Sequence, residues 1–367
     1  MANWSMRLAL VAAGLTVALP SAAQAQQVND LGKSFTLTKS GLDAGVDANI
    51  NAAVNRYGRR VGFQEVFNHA EQVTRGLDGA PVPGTLTGFR WGANNESEPD
   101  WRPQGITGSA DAYDSGTAGP YKVLITSWHG EPTEYSRVTF HNTTTSNANA
   151  PYRHALLVVA NPDGTATPLQ THAGGLAWIG NHLYVASTDR LLVFRISDLT
   201  KVKPALRGEV RTYDYILPLA GAYTANDNPA LRFSAVSLDR SQKQKALVTS
   251  EFKPNEAFGG RIVRFPVNDD GSTGPTVTSL NAWKTAGIKN IQGALMRGGR
   301  FAITTSLGSA PSQLFAGARN SPLKVTTWSK TGVEDLFLVG SNDRLYTLTE
   351  FEGSRRVFAV DGSDHGL

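Results

Sequence analysis

The stretch His172-Ala-Gly-Gly-Leu-Ala-Trp-Ile-Gly-Asn-His-Leu-Tyr-Val-Ala-Ser-Thr188 decides the fold. It reads as a polar residue, an apolar run, a Gly-Asn turn and a second apolar run ending in hydroxyl residues, the pattern of a short β-hairpin. The pattern recurs on both sides. Upstream, Gln104-Gly-Ile-Thr precedes LITSWH, which ends at His129; downstream, Phe233-Ser-Ala-Val-Ser-Leu precedes ALVTSE, which ends at Glu251. Two further copies are Gln292-Gly-Ala-Leu-Met with FAITTS ending at Ser306, and Glu334-Asp-Leu-Phe-Leu-Val with LYTLTE ending at Glu350. Units repeated every roughly 40 to 70 residues mark a radial or solenoid architecture. The expected fold is all-β, a five-bladed β-propeller over residues 85–367.

The fifth copy lacks a fourth strand of its own. Thr85 to Trp91 (TLTGFRW) reads as a strand, and its expected place is beside Arg355 to Val360, closing the ring and hiding its free edge. Residues 26–84 read differently. Val46, Ile50 and Val54, then Val61, Phe63, Val66 and Phe67, have helical rather than alternating spacing, so an N-terminal helical extension against the outside of the β body is expected.

Residues 1–25 have the form of a signal peptide: Arg7, an apolar core from Leu8 to Leu19, and Ala23-Gln24-Ala25 as the cleavage site. No later stretch is long and apolar enough for a membrane span, so a secreted, soluble monomer is expected. The chain has 37 glycines, 18 prolines and only 18% charged residues, which suits short strands and tight turns. Its lack of cysteine excludes disulfides, thiolate metal sites and a cysteine nucleophile, and in an exported protein points to a bacterial source. A net charge of +4 without runs of like charge gives no nucleic-acid footprint.

In a propeller, the first strand of each unit begins where the second ends, and both surround the mouth of the central channel. Gln104, His172, Gln292, Glu334 and Asp335 are expected there from first-strand starts. Trp128, His129, Thr188, Asp189, Glu251, Ser306 and Glu350 are expected from second-strand ends. Of these, His172, Glu350 and Glu251 are the candidate catalytic residues, while Gln104, Trp128, His129, Gln292, Glu334 and Asp335 are candidates for ligand contact. His172 could act as a general base or a metal ligand, or could bridge neighbouring units while the adjacent glycines relieve crowding at the axis. Paired carboxylates could divide into acid and base or take a divalent cation; no cofactor is obligatory. Trp128 could stack on a sugar and Arg153 could clamp an anion, although Arg153 begins an outer strand. No nucleophile elbow, zinc-protease, Walker or dinucleotide motif occurs in a usable context.

From Pro103-Gln-Gly-Ile-Thr, through Tyr152-Arg-His-Ala-Leu-Leu-Val, to His172-Ala-Gly-Gly-Leu-Ala-Trp, the chain resembles exported actinobacterial proteins mostly of unassigned function. That resemblance implies export and a propeller, and carries over no catalytic residue. At the level of fold the chain is similar to the gluconolactonase and strictosidine-synthase propellers, which act on small molecules at the channel mouth, but their Glu/Asn/Asp metal constellation is not traceable here. The motifs of the arabinanase-like five-bladed glycosidases are absent too. The functional expectation is a small organic or carbohydrate ligand at the mouth, turned over by a hydrolase, lyase or isomerase using His and Glu. The alternative is a non-catalytic protein that binds cell-envelope glycan or a metabolite, and a third possibility is a scaffold with a plugged mouth.

Overall fold

The computed structural model describes residues 25–39, 45–131, 135–227, 229–253 and 260–367. The expected signal peptide lies outside the described residues, apart from Ala25. Antiparallel meanders dominate the chain. The first runs Trp101–Gly108, Val123–Gly130, Ser136–Asn142, Pro151–Ala160. The second runs Leu176–Ile179, His182–Ser187, Arg190–Arg195, Tyr215–Ala225. In the third, Phe233–Asp239 is followed by Ala246–Glu251, Arg261–Pro266 and Asn281–Ala286. The fourth is Ile291–Arg297, Arg300–Leu307, Ala310–Ala318, Lys324–Thr327. The last comprises Val333–Val339, Arg344–Thr349 and Val357–Asp361.

Turn chemistry sets the hairpins. Gly298 and Gly299 both have positive φ between two strands paired up to Arg297 and Arg300, which is the backbone a two-residue hairpin needs. The first strands of successive meanders lie beside one another, and that of the last meander also contacts that of the first. Separate apolar cores fill the wedges between neighbouring meanders. One is built around Trp178, Phe140 and Leu192; another around Phe337, Ile106 and Trp128 joins the last meander to the first. The result is an all-β fold of propeller type.

The first strands are crowded at the axis. A Cβ on Gly174 would sit 2.0 Å from the Ser234 carbonyl oxygen, and one on Gly105 would sit 2.2 Å from that of Gly174. The glycines after His172 therefore let neighbouring strands approach, the alternative to a ligand-approach role for them.

Residues 26–84 are more than helical. Helices Val46–Tyr57 and Phe63–Asn68 form, and Ile50, Val54 and Phe67 are buried as their spacing requires. Short strands between and around them are added to outer sheet edges: Gln27–Asp30 along Asn281–Ala286, Thr36–Lys39 between Tyr215–Ala225 and Thr276–Thr278, and Gln72–Val73 on Pro151–Tyr152. Thr276–Thr278 thus pairs with this strap, and Asn281–Ala286 is the outer strand of the third meander. Thr87–Phe89 then pairs antiparallel with Val357–Ala359. The second meander's last strand starts too early for its own sheet: Ile216–Pro218 runs parallel to Leu156–Val158 of the first meander before Leu219–Tyr223 joins Arg190–Arg195 through a bulge.

Candidate functional site

At the starts of the first strands lies a hollow of about 350 Å³. Gln104, His172, Gln292 and Glu350 line it together, coming from four different meanders. Thr188 completes the expected part of the wall. Arg232, Phe233, Ser234 and Phe252 line it as well and were not foreseen. Phe252 is 38% exposed, an uncovered ring at the rim. The backbone is strained here: Ala173 and Thr188, neither of them glycine, have φ of 51° and 34°.

Behind the hollow, the carboxyls of Glu334 and Glu350 lie close enough for the charge of Glu350 to raise the pKa of Glu334. Glu334 is buried, and burial followed by the charge of Glu350 raises its pKa well above the usual range, so Glu334 is the protonated member of the pair. Burial also raises Glu350, and its Oε2 accepts a hydrogen bond from Gln104 Nε2 at 3.0 Å. Glu334 Oε1 has no hydrogen-bond partner among the described residues.

Asp335 follows immediately and is fully buried. Its Oδ2 accepts the backbone N–H of Ile106 at 3.0 Å and of Leu176 at 2.9 Å, tying the last meander to the first two. Burial raises its pKa to about 8 against those hydrogen bonds. Glu334 and Asp335 are consecutive yet both turn inward, because the ladder to Arg344–Thr349 slips between Val333 and Leu336.

His172 is open to solvent on its cavity side. The walls that enclose the rest of the ring disfavour the imidazolium, and the neighbouring His129 adds to this, lowering its pKa to about 4. It is thus a neutral imidazole at ordinary pH. The two rings lie 4.8 Å apart, and His129 turns Nδ1 toward the Thr171 carbonyl at 3.3 Å, so His129 backs His172 rather than lining the hollow.

Two expected residues have other duties. Glu251 is sequestered: its oxygens accept Arg261 Nε and Nη2, both at 2.6 Å, and the N–H groups of Arg232 and Arg261 at 2.9 and 3.0 Å. With its acceptor sites filled it is a structural carboxylate and not a free acid or base. Trp128 is fully buried, donates from Nε1 to Thr139 Oγ1 at 2.7 Å, and packs edge-on against Trp91. It offers no face to a sugar. Of the remaining positions, Asp189 is exposed beside Arg190, and Ser306 is buried. Arg153 ion-pairs with Asp214 and Glu71 on the outer strand.

Among the described residues no cluster of three His, Asp or Glu side chains is arranged for a metal ion. Neutral carboxamides, one neutral imidazole and one protonated carboxyl instead suit hydroxyl recognition and proton transfer.

No protein-family model matches the chain, and no curated protein matches it. Solved structures similar to it include a Xanthomonas campestris gluconolactonase, 10% identical with a TM-score of 0.36 over 78% of this chain and 87% of that one. The β-propeller domain of Cps50 (Swd1) from Myceliophteria thermophila is 10% identical, TM-score 0.36, over 76% of this chain and 98% of that one. A Trypanosoma rangeli sialidase is 10% identical, TM-score 0.33, over 79% and 59%. Likeness this distant transfers no residue and no activity. Strand pairing and the mouth define the class: an all-β, propeller-type protein with a polar hollow at its axis.

Proposed function

We propose that residues 85–367 form a five-bladed β-propeller, preceded by an extension over 26–84 and a signal peptide over 1–25, and that the exported protein is a small-molecule enzyme of hydrolase, lyase or isomerase type. Glu350 takes up a proton from the substrate or from water, Glu334 holds its own proton, and neutral His172 accepts or relays another across the hollow. Gln104 and Gln292 orient hydroxyls through their carboxamides, and Phe252 and Phe233 flank the apolar face of a sugar or organic ring.

The observation that carries this reading is the Glu350 carboxyl, which lines the same hollow as His172 and has the protonated Glu334 carboxyl beside it. Two neighbouring carboxyls titrate as one unit, so one is held as acid and the other as base at the same pH. A divalent cation would have to displace the Glu334 proton, so the reading includes no cofactor.

The uncovered Phe252 favours a second reading, a binding protein for cell-envelope glycan or a metabolite. One experiment separates the two. Hydroxylated small molecules and glycan fragments are screened by ligand-observed NMR against the wild type and the Glu350→Gln, Glu334→Gln and His172→Ala variants. Turnover lost in Glu350→Gln with binding retained supports the enzyme; binding without turnover of any compound supports the binder. Binding unaffected by all the substitutions removes the hollow as the site.

A further inference from the structure

The first strands also converge at their other ends, where a second cavity of about 370 Å³ opens. Its floor is apolar, made of Leu238, Leu295, Met296, Leu336, Phe337 and Leu338. The arginines at its rim already have partners: Arg240 ion-pairs with Asp114 and donates to the Ala110 carbonyl, and Arg297 ion-pairs with Asp343. Asp111 is different. It stands in the helical turn Ser109–Ala112, is 7% exposed, lines the cavity, and accepts one hydrogen bond, from Thr107 Oγ1 to Oδ2 at 3.0 Å. Among the described residues it makes no ion pair, so it is the one lining carboxyl without a matched cation.

A pocket with apolar walls and one polar group of defined chemistry is the usual form of a small-molecule site. An anionic ligand would meet guanidinium groups already engaged and would face the Asp111 carboxyl. A purely apolar ligand would cover that carboxyl without compensation. An ammonium group supplies both the missing charge and hydrogen-bond donors.

We propose that this cavity is a second binding site, separate from the mouth, for a compact apolar molecule bearing one primary amine, its ammonium paired with Asp111 and its hydrocarbon body on Leu238, Met296 and Phe337. The charged groups around Asp111 set the pH response. Arg240 lowers its pKa, and the Asp111 charge in turn opposes ionisation of Asp335 within the channel; Asp114 and Arg297 share the cavity, and Tyr113 adjoins the turn. Burial outweighs Arg240 and raises Asp111 to about 7. On binding, the carboxylic acid gives its proton to solvent and the resulting carboxylate pairs with the ammonium. Affinity for the amine therefore falls about tenfold from about pH 8 to about pH 6, since one pH unit below the pKa about one carboxyl in ten is ionised.

The test uses 2-phenylethylamine and its neutral counterpart 2-phenylethanol, titrated calorimetrically into the full chain at about pH 6 and 8. The amine is expected to bind about tenfold more tightly than the alcohol at the higher pH, and at the lower pH its binding should release a proton, visible as a dependence on the buffer's ionisation enthalpy. Asp111→Asn should abolish both the preference and the pH dependence while still binding the alcohol, which shows that the cavity is intact. Met296→Trp should fill the cavity and remove both probes; Glu350→Gln and His172→Ala at the mouth should change neither. Equal affinities for the two probes, no binding of either, a pH dependence that survives in Asp111→Asn, or loss of binding through the mouth variants would each overturn the proposal.

Discussion

Replacing Asp335 by Asn should stabilise the protein increasingly as pH rises above about 4. The Asp335 carboxyl lies at the axis, completely buried, with Oδ2 between the N–H groups of Ile106 and Leu176 and Oδ1 without a partner. Burial lifts its pKa from 3.8 to about 8. Because the folded pKa is the higher one, stability is fully present below about pH 4 and is lost as pH rises through about 8. At about 1.4 kcal/mol for each tenfold difference, the full effect is of order 5 kcal/mol, and about half of it is already lost near pH 6. Asparagine is neutral throughout, its carbonyl oxygen can still accept both N–H groups, and its NH₂ takes the place of the protonated oxygen. The assay is the urea midpoint of wild type and Asp335→Asn between about pH 4 and 8, with the slope m held constant. Expected are nearly equal midpoints at the acid end and a widening advantage for the variant as pH rises. A variant less stable by the same margin at every pH would refute the reasoning, because it would mean that Asp335 is ionised and held by the two N–H groups.

Glu251→Ala strands the Arg261 guanidinium beside a closed sheet edge, so a loss of about 3 to 5 kcal/mol is expected, read from denaturant unfolding. Affinity for mouth ligands should be unchanged in the molecules that remain folded. Gly174→Ala drives a methyl group against the Ser234 carbonyl and should destabilise by ~3 kcal/mol or more. Gly208→Ala, where nothing lies within 4 Å of the new Cβ, should stay within about 0.5 kcal/mol by the same assay. Protein recovered from the medium of an exporting bacterial host should begin at Gln26 by intact-mass measurement; a chain retaining Met1 would remove the signal-peptide reading.

Much of the mouth was legible because it depends on position within a repeat. Gln104, His172 and Gln292 hold equivalent places in the repeat, and any ring that stacks the first strands brings them together. Orientation within a strand was harder to read. Trp128 and His129 were both placed at the mouth, yet consecutive residues of a regular strand face opposite sides, and pairing register sends Trp128 into the wedge between sheets. Glu334 and Asp335 escape that rule only through a bulge, which no residue type announces. Glu251 did carry a signal: Arg261 opens the next strand, and charges at neighbouring strand ends tend to meet. The second cavity has no repeat signature, since the first-strand ends carry unrelated residues such as Arg240 and Arg297. Short strands in residues 26–84 were hidden for a different reason. Each is only two to four residues long and is held by the edge it joins, so it has too few positions to show an alternating pattern.

The strap that runs from Gln27 to Phe89 also orders events in time. Gln27 waits for Ala286 and Thr87 for Ala359, so these segments leave the ribosome long before their partners exist. Stacked repeats ordinarily grow by adding one unit to the last, each gain independent of the end. Here strands from residues 27–30 and 87–89 are the clasp, and strands some 250 or more residues further on are the eye that receives it. Contacts of such separation slow folding and make it concerted. A polypeptide shortened at either end should therefore fail as a whole, and no smaller ring is expected to persist as an evolutionary or engineered intermediate.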